Sequence, residues 1–206
     1  MTGAHQLALD GTAATVGARD PSDFYATPGW LVDAVLNAIA PGGGVSWHSI
    51  LDAGAGDGRL GGLASARGPL TGSRVLAVDL DADRLALSAA DVKVPGDFLA
   101  WAPEGRRRFD LVISNPPFRL WDEFVRAMLP LVAPGGTCLV LGFVNVLGGQ
   151  GRAAWWREHP PSRIWLSPRR ASFTPDGATD SRDAAWFEWG PGERRAEVRW
   201  LPTERG

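Results

Sequence analysis

The 206-residue sequence has a single cysteine, Cys138, so no disulfide can close within the chain. It has no stretch of about 18 consecutive apolar residues, and a hydrophobic spanning helix is therefore not expected. The N-terminal segment lacks the apolar core of a signal peptide. Together these absences predict a cytoplasmic protein with no membrane partner. Cys138 sits in the apolar run Cys138-Leu139-Val140-Leu141, where core packing is the expected role rather than nucleophilic chemistry. The three histidines, His5, His48 and His159, lie far apart with no ligand-like spacing, so no metal site is predicted. Lysine is almost missing: Lys93 is the only one, and the other basic residues are arginines. A net charge of −2 excludes a strongly basic nucleic-acid binder. The charge is uneven, because residues 1–150 hold 11 basic and 15 acidic side chains while residues 151–206 hold 10 and 8.

What is present suits one globular domain. The chain is 45% hydrophobic, long enough for a substantial core, and shows no internal repeat and no linker. Residues 1–20 have no clear period and read as a mobile N-terminal arm; residues 21–206 read as a single domain. Ten tryptophans are expected mainly in the core and on sheet faces. Thr27 reads as an N-cap with Pro28 at the first helical position, followed by Leu31, Val32, Val35, Leu36 and Ile39 on one helical face. Ser49-Ile50-Leu51 reads as a strand, a helix is expected from about residue 59, and Arg74-Val75-Leu76-Ala77-Val78-Asp79 reads as a second strand. Asp81 is expected to cap a helix running to residue 90. Short strands at 92–94 and 109–113, a helix carrying Leu120, Phe124, Val125, Met128, Leu129 and Val132, and a strand at 137–146 follow. A helix at 151–158 and strands at 163–166, 185–189 and 197–201 complete the chain. Strands alternating with helices predict a parallel sheet covered on both faces, with an antiparallel addition late in the chain.

Three segments carry candidate chemistry. The first is Asp52-Ala53-Gly54-Ala55-Gly56-Asp57-Gly58, where glycines at alternate positions after a strand permit a sharp turn and close approach to a ligand. This D-x-G-x-G-x-G pattern departs from the G-x-G-x-x-G dinucleotide fingerprint, and a plain nucleotide-binding loop is its rival reading. The second is Asp79, 23 residues after Gly56, about where a strand-end acid meets ribose hydroxyls. The third is Ser114-Asn115-Pro116-Pro117-Phe118 at the end of an apolar strand. Each proline fixes its own φ and holds the residue before it extended, so the loop is stiff. Asn115 Oδ1 and the Pro116 carbonyl can both accept from one –NH2 group, and Phe118 can stack on the ring that carries it.

Taken in order, FYATP, DAGAGDG, VD, GDF and SNPPF resemble the S-adenosylmethionine-dependent methyltransferases that modify exocyclic amines. The likeness is greatest to small adenine-N6 DNA methyltransferases of phage or bacterial type and covers residues 24–146; RRASFTPDGATDSRDAAWFEW resembles the end of such proteins. The resemblance implies an α/β, Rossmann-like class I fold: a mostly parallel seven-stranded sheet with an antiparallel last strand and helices on both faces. It implies that Asp52 and the backbone of Gly54, Gly56 and Gly58 hold the methionine part of S-adenosylmethionine. Asp79 would accept from the ribose hydroxyls, Asp97 from the adenine amine, and Phe98 would pack on the adenine. Thr27 and Pro28 would close over the cofactor. Asn115, Pro116, Pro117 and Phe118 would form the catalytic loop that holds the target base.

The expected partner is nucleic acid, DNA before RNA. Within these residues there is no large insertion of the kind that reads a target sequence, so the loop at 169–183, with Arg169, Arg170, Phe173 and Arg182, is the candidate substrate contact. RNA adenine or guanine-N2 methyltransferases and protein glutamine methyltransferases share the Asn-Pro-Pro core and stay open as alternatives. So does an inactive cofactor-fold binding module.

Overall fold

A computed structural model of the protein describes residues 26–40, 47–67, 72–104, 107–148, 150–173, 182–191 and 197–200. The expected arm at 1–20, Phe24 and Tyr25 of FYATP, the helix stop at 41–44, Arg106 and the centre of the loop at 174–181 lie outside the described residues.

The elements alternate as expected. Helix α1 (Gly29–Ile39) precedes β1 (Ser49–Ala53), α2 (Arg59–Ser65), β2 (Arg74–Asp79), α3 (Ala82–Ala86) and β3 (Val92–Pro95). Then come α4 (Phe98–Trp101), β4 (Phe109–Ser114), α5 (Trp121–Met128), β5 (Val132–Phe143), α6 (Gln150–Glu158), β6 (Arg163–Leu166), β7 (Ala184–Trp189) and β8 (Glu197–Trp200). The strands form one sheet in the order β3-β2-β1-β4-β5-β7-β6-β8. Strands β1 to β7 make the expected seven-stranded sheet. Its last strand in sequence, β7, runs antiparallel to both β5 and β6, and β8 adds parallel to β6 at the edge.

Both faces of the central strands are buried, which is why they read as continuous apolar runs. Successive residues feed opposite layers. Ile50, Val75, Leu111, Ile113, Leu139 and Leu141 pack with Leu31, Val35 and Leu36 of α1 and Leu60 and Ala64 of α2. Leu51, Leu76, Val112 and Val140 pack on the other face with Phe98, Trp121, Phe124, Val125 and Met128. Cys138 is buried in this second layer, and burial pushes its thiol far above its usual range.

Several boundaries differ from the sequence reading. α5 ends at Met128, so Leu129 falls in a 3-10 turn and Val132 opens β5, and β5 ends at Phe143 rather than 146, where a 3-10 turn takes over. Thr27 does not cap α1: Pro28 occupies the cap position in an extended conformation, and its carbonyl accepts from Leu31 N at 3.0 Å. Asp81 does cap α3, accepting from Arg84 N at 2.9 Å. That helix ends at Ala86 rather than 90, where Ser88 Oγ takes up Ala90 N and offers the backbone a turn instead. β5 begins at Val132, five residues early, but its regular ladder with β4 starts at Thr137. Pro134 and Gly135, the latter at φ 78°, interrupt the pairing before that.

The tryptophans behave as anchors. The indole N–H of Trp186 donates to Leu31 O at 3.1 Å and ties α1 to β7. Trp121 donates to Leu141 O at 3.0 Å and fixes α5 on β5. Trp165 donates to the buried carboxylate of Glu188 at 2.8 Å, which also pairs with Arg163 at 2.8 Å. Gly142 lies under the Trp121 ring, and a Cβ built there would sit 2.5 Å from Nε1. Gly142→Ala is therefore expected to force Trp121 out of place and destabilise the chain by about 1–3 kcal/mol, the usual cost of overpacking. Urea midpoints of the two proteins check this; coincident curves would show that the Trp121 ring is free to shift.

Candidate active site

The parallel strands β1 and β4 are neighbours, yet the chain leaves β1 toward β2 and β3 on one side and β4 toward β5 on the other. In an open α/β sheet, the crevice beyond the carboxyl ends of two such strands is where ligands bind. Here the ends of β1, β2, β3 and β4 bring together the glycine turn, Asp79, Asp97 and Asn115. A cleft lies over them, lined among others by Thr27, Gly54, Asp57, Asp79, Asp97 and Asn115.

The glycine turn is tied down by β2. Gly54 N and Ala55 N both donate to Val78 O, at 2.9 and 3.0 Å, and Gly56 N donates to Asp79 Oδ2 at 2.7 Å. Gly54, Gly56 and Gly58 have φ of 65°, 55° and 76°, a region that disfavours any side chain. At Gly58 the space is closed too, because a Cβ would meet Ser88 Oγ at 1.9 Å. Gly54 and Ala55 line the cleft, whereas Gly56 and Gly58 shape the turn from behind. Asp52 does not line it either. Its side chain is 1% exposed and its Oδ2 accepts from Gly61 N at 2.8 Å, holding the first turn of α2 against β1. Gly61 must be glycine for this, since a Cβ would stand 2.8 Å from Val75 Cγ1 and 3.0 Å from Asp52 Oδ2.

Asp79 accepts from two backbone groups, Gly56 N and Asp81 N, and faces the cleft. Asp97 caps α4 by accepting from Leu99 N at 2.9 Å and is exposed at the rim. Phe98 is 2% exposed and packs on Phe124 with ring centroids 4.9 Å apart. Asp57, Asp79, Asp81 and Asp97 give the walls an acidic character. Arg59 lies 3.7 Å from Asp57 and Arg84 3.4 Å from Asp81, so those two charges are partly balanced. Apolar surface comes from Leu60, Phe98, Leu120, Phe124 and Leu80, the last 75% exposed at the lip.

On the other wall, Ser114 Oγ donates to Ala53 O at 2.6 Å and ties the root of the Asn-Pro-Pro-Phe loop to the end of β1. Asn115 Nδ2 donates to Thr27 Oγ1 at 2.9 Å, 88 residues away in sequence. Pro117 O accepts from Leu120 N at 2.8 Å and opens a short 3-10 turn, Phe118–Leu120. Pro117 lines the cleft, whereas Pro116 is buried behind it and Pro28 lies beyond Thr27. Phe118 does not line it: its ring lies 3.9 Å from that of Phe143 and 5.9 Å from that of Phe173. The Arg182 guanidinium lies 3.7 Å from the Phe143 ring centre, and that of Arg169 lies 4.0 Å from the ring of Trp30. Arg170 pairs with Asp183 at 3.6 Å on the surface.

The structure thus gathers Thr27, Gly54, Asp79, Asp97, Phe98, Asn115 and Pro117 around one cleft, and groups Arg182 and Phe173 with Phe118 beside it. Sequence reading missed Arg59, Arg84, Arg119, Leu120 and Phe124 as cleft walls. Leu120 and Phe124, four residues apart, were legible only as one apolar helical face. Among the described residues, no group of three or more His, Cys, Asp or Glu is placed to hold a metal ion, and no helix is long and apolar enough to cross a membrane.

No family model matches the sequence. A curated relative, the tRNA1(Val) (adenine(37)-N6)-methyltransferase of Enterobacter sp. (strain 638), is 40% identical over 94 residues; the match covers 41% of this chain and 37% of that protein. Among solved structures, the methyltransferase subunit of the type I restriction-modification system of Streptococcus thermophilus superposes with a TM-score of 0.67 at 16% identity, covering 85% of this chain and 47% of that one. A Listeria monocytogenes protein described as a class I S-adenosylmethionine-dependent methyltransferase gives 0.65 at 15%, covering 88% and 67%. A Pyrococcus horikoshii protein described as an RNA methyltransferase gives 0.62 at 17%, covering 81% and 85%. At such identities the likeness establishes the fold: the chain has the Rossmann-like fold of class I S-adenosylmethionine-dependent methyltransferases.

Burial raises the Asp52 pKa from 3.8 to about 7; the Gly61 bond opposes this, and the charges of Asp79 and Asp57 add to it. The folded chain therefore keeps a proton that the unfolded chain loses above its ordinary pKa. Stability contributed by the neutral form is full below about pH 4, falls as pH rises toward 7, and is level above that. Asp52→Asn keeps an acceptor for Gly61 N without the charge. It should flatten this slope and stabilise the chain above pH 7 by up to roughly 3–4 kcal/mol. Urea midpoints from pH 4 to 8 test it, and parallel curves for the two proteins would place the titration elsewhere.

Proposed function

We propose that the chain is an S-adenosylmethionine-dependent N-methyltransferase acting on the exocyclic amine of a nucleic-acid base, adenine N6 in DNA first. The observation that carries this reading is the Asn115 amide, held at the strand-order reversal across a cleft from Asp79 and Asp97. The cleft suits the cofactor's chemistry: a cationic nucleoside with hydroxyl and amine donors meets carboxylate acceptors and apolar walls. Asp79 would accept from the ribose hydroxyls and Asp97 from the adenine amine, with Phe98 and Leu80 as the apolar surfaces. The backbone N–H groups of Gly54, Ala55 and Gly56 are already committed to β2, so the turn contributes shape and its Asp57 side of the cleft more than amide donors. Bound in this cleft, S-adenosylmethionine would supply a methyl group from its positive sulfur, which would leave as a neutral sulfide while the methylated nitrogen lost one proton to solvent.

The protein's task is to make a poor nucleophile react. The N6 lone pair is delocalised into the adenine ring. Acceptance of an N–H group by the Asn115 amide would favour the pyramidal amine and aim the lone pair; the Pro116 carbonyl is the second acceptor the motif implies, although Pro116 itself is buried behind the cleft wall. Preorganised acceptors and positioning of this kind supply large parts of enzymatic rate enhancement. A base from a duplex must leave the stack to reach them. Phe118, backed by Phe143 and Phe173, is a rigid surface for that base, and Arg182 and Arg169 on their aromatic seats are the proposed contacts to the polymer. DNA is the polymer the motif order favours. RNA is the second reading, favoured by the partial relative whose name specifies a tRNA adenine.

Transfer from methyl-labelled cofactor to DNA, RNA and protein, followed by nucleoside and amino-acid analysis, tests the reading; a wild-type chain that labels none of them would end it. Asn115→Ala should leave cofactor binding intact and reduce single-turnover methyl transfer about 10²–10³-fold, the usual loss for one preorganised polar contact. Wild-type turnover in that variant would reduce SNPPF to a turn. Asp79→Ala should weaken S-adenosylhomocysteine binding by about 1.5–3 kcal/mol, the scale of a charged hydrogen bond. Calorimetry measures this, and unchanged affinity would remove Asp79 from the cofactor site.

A further inference from the structure

We infer that Thr27 is a positioning residue for Asn115: its hydroxyl hydrogen-bonds the side-chain amide and holds it in place at the cleft wall. This rests on the amine-methyltransferase reading and adds to it a role that differs from closing over a cofactor.

An amide that is to meet a substrate nitrogen reacts well only if it is held in one place, and a hydrogen bond from a second structural element can do this. Thr27 Oγ1 accepts from Asn115 Nδ2 at 2.9 Å. Thr27 is only 3% exposed, so water has little access to replace it, and both residues line the cleft.

The acceptor is held by rigid structure. Thr27 precedes Pro28, which restricts it to extended backbone. Pro28 enters α1 directly, with its carbonyl accepting from Leu31 N and Val32 N at 3.0 and 3.4 Å. α1 is fixed to β7 through the bond from Trp186 Nε1 to Leu31 O and to the end of α2 through the Arg67–Asp33 pair at 2.7 Å. Asn115 is fixed from its own side by the buried bond from Ser114 Oγ to Ala53 O at 2.6 Å. The amide therefore spans two independently anchored points, one on α1 and one at the end of β4. Capping of α1, the local job the sequence suggests for Thr27, is not what its side chain does.

Thr27→Val removes the oxygen at nearly constant volume; Thr27→Ser keeps it. In single-turnover methyl transfer at saturating cofactor, Thr27→Val should be slower by about 10²-fold, the scale of an ångström-level misplacement. Its affinity for S-adenosylhomocysteine should be unchanged, and Thr27→Ser should recover most of the rate. Combined with Asn115→Ala, Thr27→Val should cost nothing further, since the residue acts only through that amide. Apart from activity, the Asn115 side-chain NH2 resonances, assigned by their loss in Asn115→Ala, should resist hydrogen exchange in wild type and Thr27→Ser and lose that protection in Thr27→Val.

Wild-type turnover in Thr27→Val overturns the assignment, as does a loss that adds fully to that of Asn115→Ala. Weakened S-adenosylhomocysteine binding with normal turnover would instead make Thr27 a cofactor contact, and so overturns it as well. A wild-type chain that methylates no substrate removes the functional reading, and the assignment made on it, while exchange protection unchanged in Thr27→Val overturns the bond itself without touching that reading.

Discussion

Strands β1 and β4 lie side by side and parallel, and the chain departs from them in opposite directions across the sheet. No crossover helix can cover the point where two such paths diverge, so a crevice remains above it. Every candidate residue of the cleft depends on that gap. The Asp52–Gly58 turn closes one side of it, and the Asn-Pro-Pro-Phe loop closes the other. The Ser114 hydroxyl on the Ala53 carbonyl joins the two sides where they start.

The walls of the crevice are held by bonds that leave their functional ends defined. The turn after β1 delivers its amide groups to Val78 and Asp79, so β2 fixes the height at which Gly54 and Ala55 meet the cleft. Asp79 accepts the bond from Gly56 N through a carboxylate that also faces the cleft. A buried acid directly behind the turn, Asp52, secures α2 through Gly61, and its neutral form is the one burial prefers. Gly58 is required on conformational and steric grounds and Gly61 on steric grounds alone, because Ser88 and Val75 occupy the space a side chain would need.

Tryptophan indoles carry the long-range fastening. Trp186 connects α1 to β7, Trp121 connects α5 to β5, and Trp156 donates to Val146 O at 3.1 Å near the start of α6. Each joins a helix-side element to a backbone carbonyl, so a bulky apolar body and a directed hydrogen bond act together. Through Trp186 this fastening reaches α1, and through α1 it reaches Thr27 and the Asn115 amide. The geometry of the proposed catalytic loop is thereby coupled to the antiparallel end of the sheet, although no residue of β7 lines the cleft.

The sequence alone determined the alternation of strands and helices, because a strand buried on both faces must be an apolar run and its crossovers must be amphipathic. It also determined that Asp79, Asp97 and Asn115 stand at strand ends, since each closes such a run or follows one within a few residues. Local chemistry was legible where the partner is local, as in the Asp81 cap on Arg84 N. It was not legible where a distant group competes. Thr27 has the composition of a helix cap but faces Asn115, 88 residues away. Asp52 begins the glycine motif but is turned toward α2, and Phe118 stands in the Asn-Pro-Pro-Phe loop with its ring against Phe143 and Phe173. Residue type and spacing establish what a side chain can bond; which of the possible partners it meets is decided by the packing of α1, α2 and β4 against one another, and only the tertiary structure contains that.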